Sequence, residues 1–84
     1  HRREIRACYE AELQRTPELE GRVLINFVIA PDGQVAGSRS VESSLNNSTV
    51  EDCVVRRIRS WRFPEPRGGG TVNVNYPFVF TPGG

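Results

Sequence analysis

Residues 71–80 read TVNVNYPFVF, and this stretch decides the fold because apolar and polar side chains alternate along it. The apolar members of one parity are Val72, Val74, Tyr76, Phe78 and Phe80. A period of two predicts a β-strand with one buried face. Pro77 has no N–H to donate to a ladder, which favours an edge position in the sheet. An edge strand offers unpaired backbone groups to an extended partner; the alternative is that it is simply the final strand of a small domain.

Upstream of this strand, the sequence predicts a helix and then a central strand. Residues 2–14 carry an apolar stripe at helical spacing, made of Ile5, Cys8, Tyr9 and Leu13. Thr16-Pro17 ends the helix, because the residue before a proline avoids the helical region. Residues 22–30 alternate with apolar side chains on both faces, which suits a central strand better than an edge.

A tight turn and a second helix complete the pattern. Pro31-Asp32-Gly33 predicts a turn, so residues 34–42 should return antiparallel to the central strand, with Val35 and Val41 on one face and a bulge near Gly37. Residues 48–62 predict a helix that begins with a capping box between Ser48 and Glu51. Its apolar stripe comprises Val50, Cys53, Val54, Ile58 and Trp61. The predicted fold is α+β, in the order α-β-β-α-β, with three antiparallel strands and both helices on one face.

Size and charge limit the function classes. The 84 residues predict one domain, residues 1–84, and we expect it to be a piece of a longer protein. A net charge of +1 is too balanced to predict binding to nucleic acid. The arginines Arg56, Arg57, Arg59 and Arg62 cluster on the second helix, where a solvated face is favoured over a polyanion site.

Two cysteines and one histidine cannot close a four-ligand metal site, and no metal or cofactor is predicted. A disulfide between Cys8 and Cys53 is favoured, with two buried free thiols as the alternative. Closing a loop of about 45 residues would stabilise the fold by about 4 kcal/mol in the chain-entropy model. A disulfide would also place the domain in an oxidising compartment. The sequence offers no general base to activate Ser43, Ser44 or the cysteines as nucleophiles. No catalytic residue and no enzyme activity are therefore predicted.

The order of elements and several motifs resemble the C-terminal domain of TonB. The motifs are Gly21-Arg22-Val23 leading to Phe27, Asp32-Gly33-x-Val35, Val41 followed by Ser43-Ser44, Trp61-Arg62-Phe63-Pro64, and the last strand. A narrower resemblance is to the AgmX/PglI-type C-terminal domains of myxobacterial adventurous gliding motility proteins. It rests on Cys8-Tyr9-Glu10, Val50-Glu51-x-Cys53-Val54, Gly68-Gly69-Gly70 and Tyr76-Pro77-Phe78.

The resemblance implies a periplasmic domain at the end of a protein anchored in the inner membrane. Such a domain would grip a segment of an outer-membrane protein, similar to a TonB box, and transmit force from a proton-driven inner-membrane complex. The implied grip is β-augmentation on the last strand, and the chain departs from the enteric TonB pattern in Pro77 and the cysteine pair. The predicted binding residues are Thr71, Val72, Asn73, Val74, Asn75 and Tyr76. A structural domain that forms a homodimer through the same strand is the alternative.

Overall fold

The sheet is three-stranded and antiparallel in the order β2-β1-β3. The structure is a computed structural model that describes residues 2–83, so both ends of the predicted domain, residues 1 and 84, lie outside the described residues. The elements are α1 (Arg2–Leu13), β1 (Gly21–Ile29), β2 (Val35–Ser43), α2 (Ser48–Arg59), a 3-10 turn (Arg67–Gly69) and β3 (Val72–Phe80). The predicted α+β fold, with its central first strand and helices on one face, is confirmed.

The core lies between the helices and one face of β1. Val23, Ile25, Phe27 and Ile29 alternate toward the helices and are buried, whereas Leu24, Asn26 and Val28 are half-buried on the opposite face. The helices contribute Ile5, Cys8, Tyr9, Val50, Val54 and Ile58 to this core. Each helix therefore buries most of the stripe that its apolar spacing predicted, while Leu13 and Cys53 are half-buried.

A disulfide joins the two helices. Cys8 of α1 and Cys53 of α2 are bonded, with their Cα atoms 5.7 Å apart. This distance lies within the usual range for a disulfide. The favoured sequence interpretation is confirmed, and free thiols are excluded for these two residues.

The predicted facing of Val41 on β2 is wrong. Val41 is 49% exposed instead of sharing a face with Val35. The β1–β2 register shifts at Leu24/Ile25 and at Val28/Ile29, and the second of these shifts falls between Val35 and Val41 on β2. Each shift adds one residue to β2 and reverses the facing of those that follow. The second shift lies beside Gly37, where a bulge was predicted.

The N-cap of α2 is Asn47 rather than Ser48. The Asn47 side chain accepts a hydrogen bond from the Val50 N–H at 2.9 Å, which satisfies a free donor of the first turn. Glu51 does not reach back to the helix start, since its carboxylate accepts from the Ser43 hydroxyl at 2.9 Å. The predicted capping box is therefore absent, and Glu51 ties α2 to the end of β2. The helix also ends at Arg59, three residues before the predicted end.

Candidate partner-binding site

β3 is an edge strand with an unbroken ladder on one side. It pairs with β1 over all nine of its residues, from Val72 opposite Ile29 to Phe80 opposite Gly21. Within residues 2–83, no strand pairs with its other side. β2 is the second edge, but its two register shifts interrupt it. Bulges blunt an edge for strand addition, so β3 is the better template.

The direction of the free backbone groups follows from one contact and one proline. The Val74 carbonyl oxygen lies 3.4 Å from the Asn26 side-chain nitrogen on β1, so this carbonyl faces the sheet. Backbone groups of successive strand residues point to alternate sides. The backbone groups that point to the open edge therefore belong to Asn73, Asn75 and Pro77. Of these three residues, Pro77 has no N–H to donate. An added strand therefore meets complete N–H and C=O pairs at Asn73 and Asn75, and the missing N–H of Pro77 then interrupts the series.

The predicted binding residues thus fall together on the first part of the strand. Val72, Asn73, Val74, Asn75 and Tyr76 belong to β3, and Thr71 precedes it directly. The structure brings all six to one edge. Their role in binding stays a prediction.

The side chains of Asn73 and Asn75 lie on the face that no helix covers. Asn26 donates from its side-chain nitrogen to the Asn73 amide oxygen at 2.5 Å and to the Asn75 amide oxygen at 3.0 Å. The three amides form a network across β1 and β3. Sequence reasoning missed Asn26, although a lone amide among Leu24 and Val28 was a signal that it needed polar neighbours.

The opposite face of β3 is less covered than its alternation predicts. Phe80 is buried and its ring stacks on Tyr9 of α1, with centroids 4.9 Å apart. Val72 and Tyr76 share that face but are 41% and 45% exposed. The expected buried face is therefore complete only at the C-terminal end of the strand.

An apolar cavity of about 330 Å³ occupies the uncovered part of this face. It is lined by Arg2, Phe27, Ile29, Trp61, Phe63, Val74, Tyr76 and Phe78. Its β3 wall consists of alternate residues beside the open edge. The cavity, which will be called the aromatic cavity, therefore adjoins the predicted binding strand.

The turn after β1 fixes the far wall of the aromatic cavity. The Phe63 N–H donates to the Gly33 carbonyl at 2.8 Å, and a Cβ at Gly33 would lie 2.0 Å from the Phe63 carbonyl oxygen. This close approach and a φ of +87° require glycine. Phe63 then stacks on Phe27 at 5.9 Å, while Trp61 is buried and its Nε1–H donates to Glu4 at 3.1 Å. The predicted core position of Trp61 is confirmed.

Tyr9 anchors the N-terminal helix beneath Phe80. It is fully buried, and its hydroxyl donates to the Leu19 carbonyl. Burial raises the pKa of the Tyr9 phenol above its ordinary value, because the ionised form would lose its hydration. Nearby Arg6 acts in the opposite direction, by favouring the charged form.

Other candidate sites receive less support. Arg56, Arg57, Arg59 and Arg62 are all exposed, and Arg59 donates to the Ser38 carbonyl at 3.3 Å. Among residues 2–83, no three His, Cys, Asp or Glu side chains are grouped to hold a metal ion. In that same range, every helix is too short or too polar to cross a bilayer.

Comparisons with known proteins agree on one family. The family model described as Gram-negative bacterial TonB protein C-terminal matches residues 11–82. The solution structure of a Helicobacter pylori TonB C-terminal domain is similar, with 23% identity, 96% of this chain and 88% of that chain covered, and a TM-score of 0.64. A Pseudomonas aeruginosa TonB C-terminal domain is similar at 28% identity, with 83% and 73% covered and a TM-score of 0.58. No curated protein matches the sequence.

Proposed function

This chain belongs to the family of Gram-negative bacterial TonB protein C-terminal domains, and we propose that it is a periplasmic module that captures an extended segment of an outer-membrane protein. The observation that carries the proposal is the open edge of β3, which is paired along its full length on one side alone. The captured segment adds to β3 as a fourth strand. Tension on the parent protein then passes through this added strand to the outer membrane.

Backbone hydrogen bonds supply the grip in this mechanism. Strand addition uses main-chain groups, so it fixes the position of a partner without demanding one sequence. The complete donor and acceptor pairs at Asn73 and Asn75 lie before Pro77, which removes one donor from the ladder. The main grip is therefore on residues 71–76.

The wider setting of the proposal is an envelope-spanning machine. We place this domain at the end of a parent protein that is anchored in the inner membrane and energised there by a proton-driven complex. The disulfide between Cys8 and Cys53 supports a periplasmic location, because such bonds persist in oxidising compartments. The motifs shared with AgmX/PglI-type proteins favour gliding motility as the process served, with transport as the alternative.

Self-association through the same edge is the second candidate function. It is favoured by the exposure of Val72 and Tyr76 beside the edge, since two copies of β3 would cover these side chains. Sedimentation equilibrium over a hundredfold concentration range separates the two functions. A dimer that dissociates when an edge-binding peptide is added would show that both use β3.

The capture function is tested with peptides that tile the periplasmic segments of outer-membrane proteins from the same genome. The variant Asn75→Pro removes one N–H that points to the open edge. It leaves the hydrogen bonds to β1 intact, because residue 75 points to the same side as Pro77, a proline that the strand already contains. One lost hydrogen bond of about 1 kcal/mol should weaken the best peptide about fivefold. Val79→Pro is the matched control, since it makes the same change beyond Pro77.

A second control isolates the side chain. Asn75→Ala removes the amide contact with Asn26 but keeps the backbone N–H, so it should bind within twofold of wild type if the backbone alone grips. Equal weakening by Asn75→Pro and Val79→Pro would contradict a grip on residues 71–76. Hydrogen-exchange protection that leaves β3 unchanged in the complex would remove the proposal altogether.

A further inference from the structure

We propose that the aromatic cavity receives one large apolar side chain of the captured strand, and that a carboxylate two residues along the same strand meets Arg2. The inference rests on the proposed function and adds to it the chemistry of the partner. It predicts an extended segment in which an aromatic, leucine or isoleucine residue and an acidic residue are separated by one position. The order of the two depends on whether the added strand is parallel or antiparallel to β3.

The geometry of an added strand places side chains at the cavity mouth. A fourth strand would lie about 4.8 Å beyond β3, and alternate side chains would point to the helix-covered face. Val74, Tyr76 and Phe78 of β3 point to that face and form one wall of the cavity. The partner side chain opposite Tyr76 therefore enters the space between β3 and Trp61 or Phe63.

The walls of the cavity select an apolar occupant. Of the eight described residues that line the cavity, seven are aromatic or aliphatic, and Arg2 is charged. A volume of about 330 Å³ accommodates an aromatic side chain without displacing the walls. Since Tyr76 is 45% exposed, an occupant would also remove exposed aromatic surface from water.

A second cavity, of about 420 Å³, continues along β3 toward its C-terminal end. It is lined by Arg2, Ile5, Arg6, Tyr76, Pro77, Phe78, Val79 and Phe80. In this cavity, the β3 residues that point to the helix-covered face are Tyr76, Phe78 and Phe80. In the aromatic cavity they are Val74, Tyr76 and Phe78. The two cavities are thus offset by two residues, or about 7 Å along a strand. This offset sets the spacing of the two partner residues.

The charges around the second cavity favour an acidic group. Among the described residues that line it, Arg2 and Arg6 are charged. Arg6 is paired with Glu10 at 3.3 Å, and Glu4 accepts from Trp61, so Arg2 is the principal contact for an incoming carboxylate. A second copy of β3 fits this site poorly, because residues 71–80 contain neither aspartate nor glutamate. Charge complementarity therefore favours a different protein segment over a homodimer.

The test uses the tightest peptide from the tiled set and substitutes it one position at a time. Replacing its cavity-facing apolar residue with alanine should weaken binding at least about tenfold. In the protein, Tyr76→Thr should produce a loss of the same kind and should abolish the preference for the large residue. Val41→Thr is the control, since Val41 is exposed to a similar extent but lies on β2, outside the binding strand and outside the lining of both cavities.

The acidic contact is tested by a second pair of variants. Arg2→Ser should remove the preference for a carboxylate over its amide analogue in the peptide. Arg3→Ser, an equal charge change on the same exposed helix end that lines neither cavity, should leave that preference in place. Salt should weaken wild-type binding more than Arg2→Ser binding.

The outcomes separate this inference from the proposed function. A peptide that binds at residues 71–76, yet tolerates alanine and Tyr76→Thr within twofold, overturns the cavity and leaves capture by β3 standing. A peptide that needs the cavity but protects no backbone amide of β3 overturns strand addition, and with it the inference. If no peptide of the set binds, both are overturned.

Discussion

Removing the disulfide is the perturbation with the most direct consequence for this small domain. Cys8 and Cys53 are 45 positions apart, and the chain-entropy model gives about 4 kcal/mol for closing such a loop in the unfolded chain. For 84 residues, the entropy of unfolding is roughly 0.18 kcal/mol per kelvin near the midpoint. The double variant Cys8→Ala/Cys53→Ala should therefore melt about 20 °C below the oxidised wild type.

Circular dichroism during heating measures this difference. The wild type with a thiol-free reductant should approach the midpoint of the double variant, and the double variant should not respond to the reductant. Urea unfolding provides an independent check. Its slope should rise when the bridge is removed, because the unfolded chain is then less compact and exposes more surface.

A midpoint drop of less than about 5 °C would refute the reasoning. It would mean that the unfolded chain stays compact between the two helices without the bridge, so that the loop constraint costs it little entropy. A single replacement, Cys53→Ala, distinguishes a packing effect from a loop effect. It opens the loop but leaves the buried Cys8 side chain in the core, so it should lose most of the same stability.

Two further predictions concern glycine and tyrosine. Gly33→Ala should destabilise the domain by at least about 3 kcal/mol, because the new Cβ meets the Phe63 carbonyl and the residue keeps a positive φ. Gly37→Ala, in open space, should change the unfolding free energy by less than about 1 kcal/mol in urea titrations. The raised pKa of Tyr9 means that its contribution is complete below the unfolded pKa of about 10 and is lost as pH rises through the folded pKa. The chain contains no lysine, and Cys8 and Cys53 are bonded to each other, so tyrosine ionisation dominates this window. The midpoint should therefore fall above pH 10 in wild type and in Tyr76→Phe, but less in Tyr9→Phe; equal curves would refute the burial argument.

The sequence predicts most of the fold because periodicity reports which residues share a face. The period of two was sufficient to predict β1 and β3 as strands. The helical spacing of Ile5, Cys8 and Tyr9 was sufficient to predict α1. Pro77 also predicted the edge correctly, since a missing donor is a property of the residue itself. These features depend on residue type and on spacing along the chain, and both can be read directly from the sequence.

What the sequence could not predict depends on tertiary position. Val41 was placed on the wrong face because the register shift beside Gly37 reverses the facing of the β2 residues that follow it. Glycine at this position indicated a bulge, but residue type does not show whether the bulge inserts a residue ahead of Val41. Asn47 and Ser48 are both competent caps, so the choice between them required the loop geometry. The aromatic cavity was missed for a third reason. Alternation shows which side of β3 faces the helices, but not that α1 meets this strand at Phe80 and leaves Tyr76 open.

The bridge between the helices also determines how the domain carries a mechanical load. A pull applied between α1 and β3 passes from Cys8 directly to Cys53, so β1 and β2 lie inside a covalent ring that the pull cannot unravel. The ring removes 45 positions, or about 150 Å of extended chain, from the length that stretching can release. β3 lies outside the ring and is held by its ladder to β1. Under tension the oxidised domain should therefore yield between β1 and β3, while the rest stays folded.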